Sequence, residues 1–188
     1  MVITVSETAG IKCQVGDFSL LVDAPSGRKG GLMLKTKSKF PVDTFTPTET
    51  IYGPGEYEIS GVRVLGLPMP NGSDKDTIKS IYLAELENAK LAFLRNLSVM
   101  PPEGTLDKLG EVDILFLSVE TKKLKPKQVT SLIKQLDPSI IIPTDEKTAK
   151  MLAEEMGQKI KAEEKLVIKR KDLISKDLSN KLVWLKTK

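Results

Sequence analysis

The chain has 188 residues, 40% of them hydrophobic, with 29 basic against 25 acidic side chains and no histidine at all. Such a length and apolar content suffice for a domain that folds alone, and a single unit over residues 1–188 is expected. The missing imidazole excludes nucleophilic catalysis through a Ser–His or Cys–His pair within the chain, because the general base is lacking.

The first half reads as short strands punctuated by Gly, Pro, Asn and Asp. Met1-Val2-Ile3-Thr4-Val5 is strand-like and unlike a secretory leader, and no run approaches the roughly 18 apolar residues of a membrane span. No membrane association is expected, and the cytoplasm is the expected location. Strands are predicted over residues 2–5, 12–15, 19–23, 32–35, 50–52, 57–59, 62–67, 80–86 and 90–93, a spacing that suggests stacked antiparallel sheets. The lone Cys13 can form no internal disulfide and reads as a small buried side chain. Glu56 and Glu58, two apart, share one face of their strand and read as solvent-facing charges.

Beyond residue 100 strands alternate with helices. A short helix is predicted over 106–109, and Ile114-Leu115-Phe116-Leu117 is an apolar run suited to burial on both faces. Pro126 suits a first helical turn, after which Val129, Leu132, Ile133 and Leu136 form one stripe before Asp137-Pro138 ends it. Ile140-Ile141-Ile142 is the next buried strand. A helix over 146–156 follows and stops at Gly157, and closing strands are predicted over 167–168 and 182–185.

Basic residues concentrate in the second half, with 19 against 14 acids in residues 95–188 compared with 10 against 11 before. Aromatic residues are only 5%, and none interleaves with Lys122, Lys123, Lys125 and Lys127 in a base-stacking pattern. Nucleic acid is therefore a weak expectation for a partner. Gly27-Arg28-Lys29-Gly30-Gly31 lacks the Gly-Lys-Ser/Thr ending and the following helix of a phosphate loop.

Several segments together carry a family resemblance. Gly53-Pro54-Gly55-Glu56-Tyr57-Glu58, Leu20-Leu21-Val22-Asp23-Ala24-Pro25, Leu109-Gly110-Glu111-Val112-Asp113 and Asp137-Pro138-Ser139-Ile140-Ile141-Ile142-Pro143 occur in an order that resembles the metallo-β-lactamase superfamily. The resemblance is to its branch of small metal-dependent hydrolases similar to ascorbate-6-phosphate lactonase. It implies an α/β fold, the four-layer αββα sandwich, with two mixed β-sheets face to face, helices outside and the site at one edge.

The same resemblance implies a site whose ligands are gone. The family's His-x-His-x-Asp-His motif would fall at Lys35-Thr36-Lys37-Ser38-Lys39-Phe40-Pro41, so Thr36 and Ser38 stand for the first two histidines. Asn71 would stand for the next histidine, Asn96 for the bridging aspartate and Asp145 for the last histidine. Asp145 also reads as the N-cap of the helix after it. Catalytic zinc needs about three strong protein ligands to acidify its water, and hydroxyls with one amide do not supply them. No zinc site, no cofactor and no catalytic residue is expected.

Arg95 would lie near the former metal position, either neutralising it or pointing to solvent, and Arg95, Lys35 and Lys37 are the candidate anion-binding groups. The expected role is that of a catalytically degenerate scaffold binding a protein partner, a second copy or an anionic ligand. Two alternatives stand beside it. One is a hydrolase built on Asp23, Asp113, Asp145 and a hard cation; the other is a nucleic-acid module using Lys35, Lys37, Lys39 and the lysines at 122–127.

Overall fold

The computed structural model describes residues 1–6, 10–25, 31–42, 49–70, 73–169, 172–173 and 180–186. Its elements in chain order are β1 (Val2–Ser6), β2 (Gly10–Val15), β3 (Phe18–Val22), β4 (Leu32–Leu34), β5 (Lys37–Lys39), β6 (Glu49–Ile51), β7 (Gly55–Ile59), β8 (Val62–Pro68), β9 (Thr77–Leu86) and β10 (Ala89–Leu97). Then come α1 (Thr105–Leu109), β11 (Ile114–Val119), α2 (Pro126–Leu136), β12 (Ile140–Pro143), α3 (Glu146–Glu155), β13 (Leu166–Val167) and β14 (Lys181–Leu182).

Alternation of apolar side chains gives each strand one face for the interior, and the strands sort into two mixed sheets. One runs β13-β1-β2-β3-β4-β6 and the other β14-β12-β11-β10-β9-β8-β7, with β5 paired to the start of β9. Ile3, Val5, Ile11, Cys13, Leu20, Val22, Leu32 and Leu34 of the first sheet face Tyr82, Phe93, Phe116, Ile114, Ile140 and Ile142 of the second across a common core. Phe93 and Phe116 stack there with centroids 4.8 Å apart. The close approach of Gly66 on β8 to this layer needs glycine, since a Cβ would lie 2.8 Å from the Tyr82 ring.

The helices bury their apolar stripes against the outer face of the second sheet. Val129, Leu132, Ile133 and Leu136 of α2 and Leu152 of α3 join Ala92, Leu94, Leu115, Leu117 and Ile141 in a second core. Among the described helices none is long and apolar enough to cross a membrane.

Several predicted boundaries move, each for a physical reason. The strand predicted over 19–23 ends at Val22, because Asp23 takes φ 51 and leaves the ladder. Lys37–Lys39 forms a strand although it offers no apolar residue, since Ser38 turns inward and pairs with Ile78 opposite. β10 continues to Leu97 beyond the predicted 93. The closing strand predicted over 182–185 is confined to Lys181–Leu182, and Leu185, though buried in the core, joins Glu163 through an isolated bridge.

Candidate functional site

The parallel strands β3 and β4 of one sheet, and β10, β11 and β12 of the other, end near one another, and side chains at or just past those ends build the site. Asp23 follows β3 in a left-handed conformation that Asp tolerates better than most residues, and its N–H is fixed on Leu34 O at 2.9 Å. Its carboxylate accepts from the Thr36 N–H at 2.8 Å and from the Thr36 hydroxyl. The third donor comes from the other sheet: Arg95 Nη1 of β10 lies 2.7 Å from Asp23 Oδ2.

This ion pair joins the two sheets at their edge. The side chains are 12% exposed for Arg95 and 21% for Asp23, so water screens the pair only in part. Arg95 thus points inward to a carboxylate and away from solvent. Its Nε is buried with no hydrogen-bond partner among the described residues. Next to the pair, the Tyr82 hydroxyl donates to Lys35 O at 3.1 Å or Gly53 O at 3.2 Å, and burial pushes its pKa well up.

The other predicted positions are placed as follows. Ser38 is buried on β5, and its hydroxyl finds no partner among the described residues. Asn96 takes φ 52 and donates its N–H to Ser118 Oγ at 2.8 Å. Asp145 caps α3, with one oxygen accepting the Thr148 N–H at 2.8 Å and the other the Thr148 hydroxyl at 2.8 Å. Asn71 lies outside the described residues. Thr36 and Arg95 therefore meet through Asp23, while Asn96 and Asp145 share the wall of a neighbouring cleft.

That cleft has a volume of about 960 Å³ and is open to solvent. Glu120, Asp145 and Glu146 balance Lys122, Lys147 and Lys150 along it. Lys123 holds Glu120 below the usual carboxylate range at 2.8 Å, and Lys150 does the same for Glu146 at 2.8 Å. The candidate anion-binding groups do not converge on it. Lys35 spends its ammonium on Ala24 O at 2.7 Å, Lys37 stands exposed on β5, and Arg95 faces Asp23.

The carboxylate alternative fails on topology. Asp113 precedes β11 and is level with the start of β12, whereas Asp145 follows the end of β12. Six residues of extended chain put them roughly 20 Å apart, at opposite ends of the strands. Asp113 accepts the Lys90 N–H at 2.7 Å there, so Asp23, Asp113 and Asp145 cannot hold one cation.

The donors at the edge do not fit the family's metals either. Thr36 and Ser38 bring neutral hydroxyls, both Asp145 oxygens already accept bonds within α3, and the Asp23 carboxylate already faces a guanidinium. Among the described residues no three His, Cys, Asp or Glu side chains gather as a metal cluster. Asp23 as the partner of Arg95 was the contact sequence reasoning missed. The signal available was a strand ending in Asp and a cation at the former metal position.

Solved structures share this architecture. A candidate Zn-dependent hydrolase of the metallo-beta-lactamase superfamily from Thermotoga maritima superposes with a TM-score of 0.73 at 17% identity, over 100% of this chain and 99% of that one. A candidate metal-dependent hydrolase from Parabacteroides distasonis gives 0.60 at 13% identity, covering 99% of this chain and 93% of that one. Igni18, a metallo hydrolase from Ignicoccus hospitalis, gives 0.60 at 9% identity, covering 90% and 100%. No curated protein sequence matches the chain. These likenesses identify the metallo-β-lactamase fold, here with two mixed sheets and few helices. The family described as "Beta-lactamase superfamily domain" matches residues 30–145, well over half of the chain and the whole stretch from β4 to the cap of α3, and the chain belongs to that family.

Proposed function

We propose that this chain is a catalytically degenerate member of its superfamily, one that keeps the scaffold as a single cytoplasmic unit and serves in protein interaction rather than metal-dependent hydrolysis. The observation that carries the reading is the pair at the strand edge: Arg95 Nη1 stands 2.7 Å from Asp23, with Thr36 bonded to the same carboxylate. A fixed guanidinium repels a divalent cation at short range and satisfies the nearest carboxylate, so Asp23 is neutralised without an ion. Hydroxide generation at neutral pH needs strong protein ligands around the metal, and the donors here are hydroxyls, an amide and a carboxylate engaged as a helix cap.

Metal content measured by mass spectrometry on protein purified without chelator tests this reading, together with titration of zinc and manganese by calorimetry. The expected result is less than a tenth of an equivalent retained and no binding at micromolar concentration. One or two tightly held ions per chain, or ester, lactone or phosphodiester turnover that follows added metal, would overturn it.

A further inference from the structure

Lysines that lie far apart in the sequence gather at one end of the second sheet. Lys37 on β5 stands directly opposite Lys79 on β9 in antiparallel register. Like charges so placed destabilise a strand pair, and neither lysine meets a carboxylate within ion-pair distance among the described residues. Lys79 Nζ donates instead to a carbonyl, Asn96 O at 3.4 Å, near the end of β10. The turn after β11 is fastened to that same end, since the Glu120 N–H donates to Leu97 O at 2.8 Å. It brings Lys122, Lys123 and Lys125, with Lys127 in the first turn of α2, and all four are exposed.

Six lysines thus share this strip with a single carboxylate, Glu120. Its 2.8 Å bond to Lys123 above all holds it below the usual carboxylate range, and Lys79 and Lys37 add to the effect, which places both strands' lysines beside the turn. Across the neighbouring cleft Asp145 caps α3 through Thr148, and Glu146 is paired with Lys150. Asp74 and Asp76 lie beyond the strip with Lys39 and Phe40, where the Phe40 N–H donates to Asp76 O at 2.9 Å. The strip also lacks apolar surface, because Val119, Leu124 and Val129 are all buried.

We infer that Lys37, Lys79, Lys122, Lys123, Lys125 and Lys127 hold the phosphate backbone of a nucleic-acid duplex without reading its sequence. A phosphate backbone needs only cations spaced along it. A protein partner would look for a desolvated apolar centre, from which lysine is depleted, and the strip offers none. Single strands are gripped by aromatic side chains under their bases, and no aromatic residue occurs from 117 to 130. In the sequence Lys37 and the lysines at 122–127 are separate runs; β9 and the end of β10 make them one surface. The inference goes beyond the scaffold reading and does not rest on it, since a chain that took up zinc could still carry the strip.

Fluorescence anisotropy of labelled 24-bp DNA and RNA duplexes, titrated with the full chain in 50, 100 and 200 mM NaCl with EDTA, tests the strip. A 24-nucleotide single strand and a glutamate-rich peptide of equal charge serve as competitors. Neutralising about four phosphates gives a slope near −3.6 in log K against log salt, so duplex affinity should fall about 150-fold from 50 to 200 mM. Lys37→Gln with Lys79→Gln, and separately Lys122→Gln with Lys125→Gln, should each weaken binding at least tenfold at 50 mM and make the slope shallower by about 2. Lys108→Gln with Lys134→Gln removes the same charge from the last turns of α1 and α2, away from the strip, and should change affinity less than threefold. Lys37→Gln should also raise the urea midpoint by relieving Lys79, which separates lost binding from lost folding. If 50 µM protein binds neither duplex at 50 mM NaCl, the inference is overturned. So it is if the control pair weakens binding as much as the strip pairs, if the single strand binds more than tenfold tighter than the duplexes, or if the peptide binds as tightly as they do.

Discussion

Replacing Arg95 by methionine should cost much of the protein's margin of stability, and the structure says how much. The carboxylate it leaves behind is 21% exposed and keeps only the two Thr36 donors. Two unit charges about 4 Å apart attract by about 4 kcal/mol at an effective dielectric near 20. Lost hydration of both groups offsets part of that, and a hydrogen bond to a charged group contributes about 1.5–3 kcal/mol net. An Arg95→Met loss of about 2–3 kcal/mol follows. Asp23→Asn should cost a similar amount by stranding the guanidinium, and Asn tolerates the φ of 51 that Asp23 adopts. With both charges gone neither is stranded, so the double variant should lose about 2–3 kcal/mol rather than the roughly 5 kcal/mol of the sum. Urea titrations followed by circular dichroism at pH 7 measure the four corners of this cycle. In a chain of this size each single variant should also melt roughly 5–10 °C lower. Strictly additive losses, with a coupling below about 0.5 kcal/mol, would refute the account of Asp23 and Arg95 as one interacting pair.

Three further outcomes can be checked on the same samples. Asp145→Ala removes both bonds to Thr148 at the start of α3 and should destabilise by about 1–2 kcal/mol in urea. Gly66→Ala forces a Cβ to within 2.8 Å of the Tyr82 ring and 3.0 Å of Gly53 O, and about 1–3 kcal/mol should be lost by the same measure. Burial raises the pKa of both the Cys13 thiol and the Tyr82 hydroxyl, so the folded state keeps protons that the unfolded chain sheds near pH 8.5 and 10. Stability should therefore hold below about pH 8 and fall as pH rises above it. Tyr82→Phe should flatten the fall between pH 9.5 and 11, and native Cys13 should resist thiol reagents at pH 8 while reacting freely in 8 M urea.

Local patterns carried much of the fold. The stripe Val129, Leu132, Ile133 and Leu136 is buried on α2, and the runs at 114–117 and 140–142 are buried strands, because periodicity and burial are the same constraint seen twice. Lys37–Lys39 was not legible as a strand, since a Lys-Ser-Lys segment carries no apolar signal and is held by pairing with β9. The site was harder still. Asp23 and Arg95 are 72 residues apart and come from different sheets, so their meeting depends on where β3 and β10 end. The opposite displacement separates Asp113 from Asp145: in sequence they are two plausible carboxylates, but parallel strands carry them to opposite ends. Charge type can be read from a chain, whereas convergence is a property of topology.

The bond between Asp23 and Arg95 also changes what the molecule needs from its surroundings. Both halves of this fastener are translated with the chain, so the joint between the sheets should assemble on folding whatever the supply of trace elements in the cell. Starvation for zinc, or a chelator in the tube, should leave its melting curve where it was.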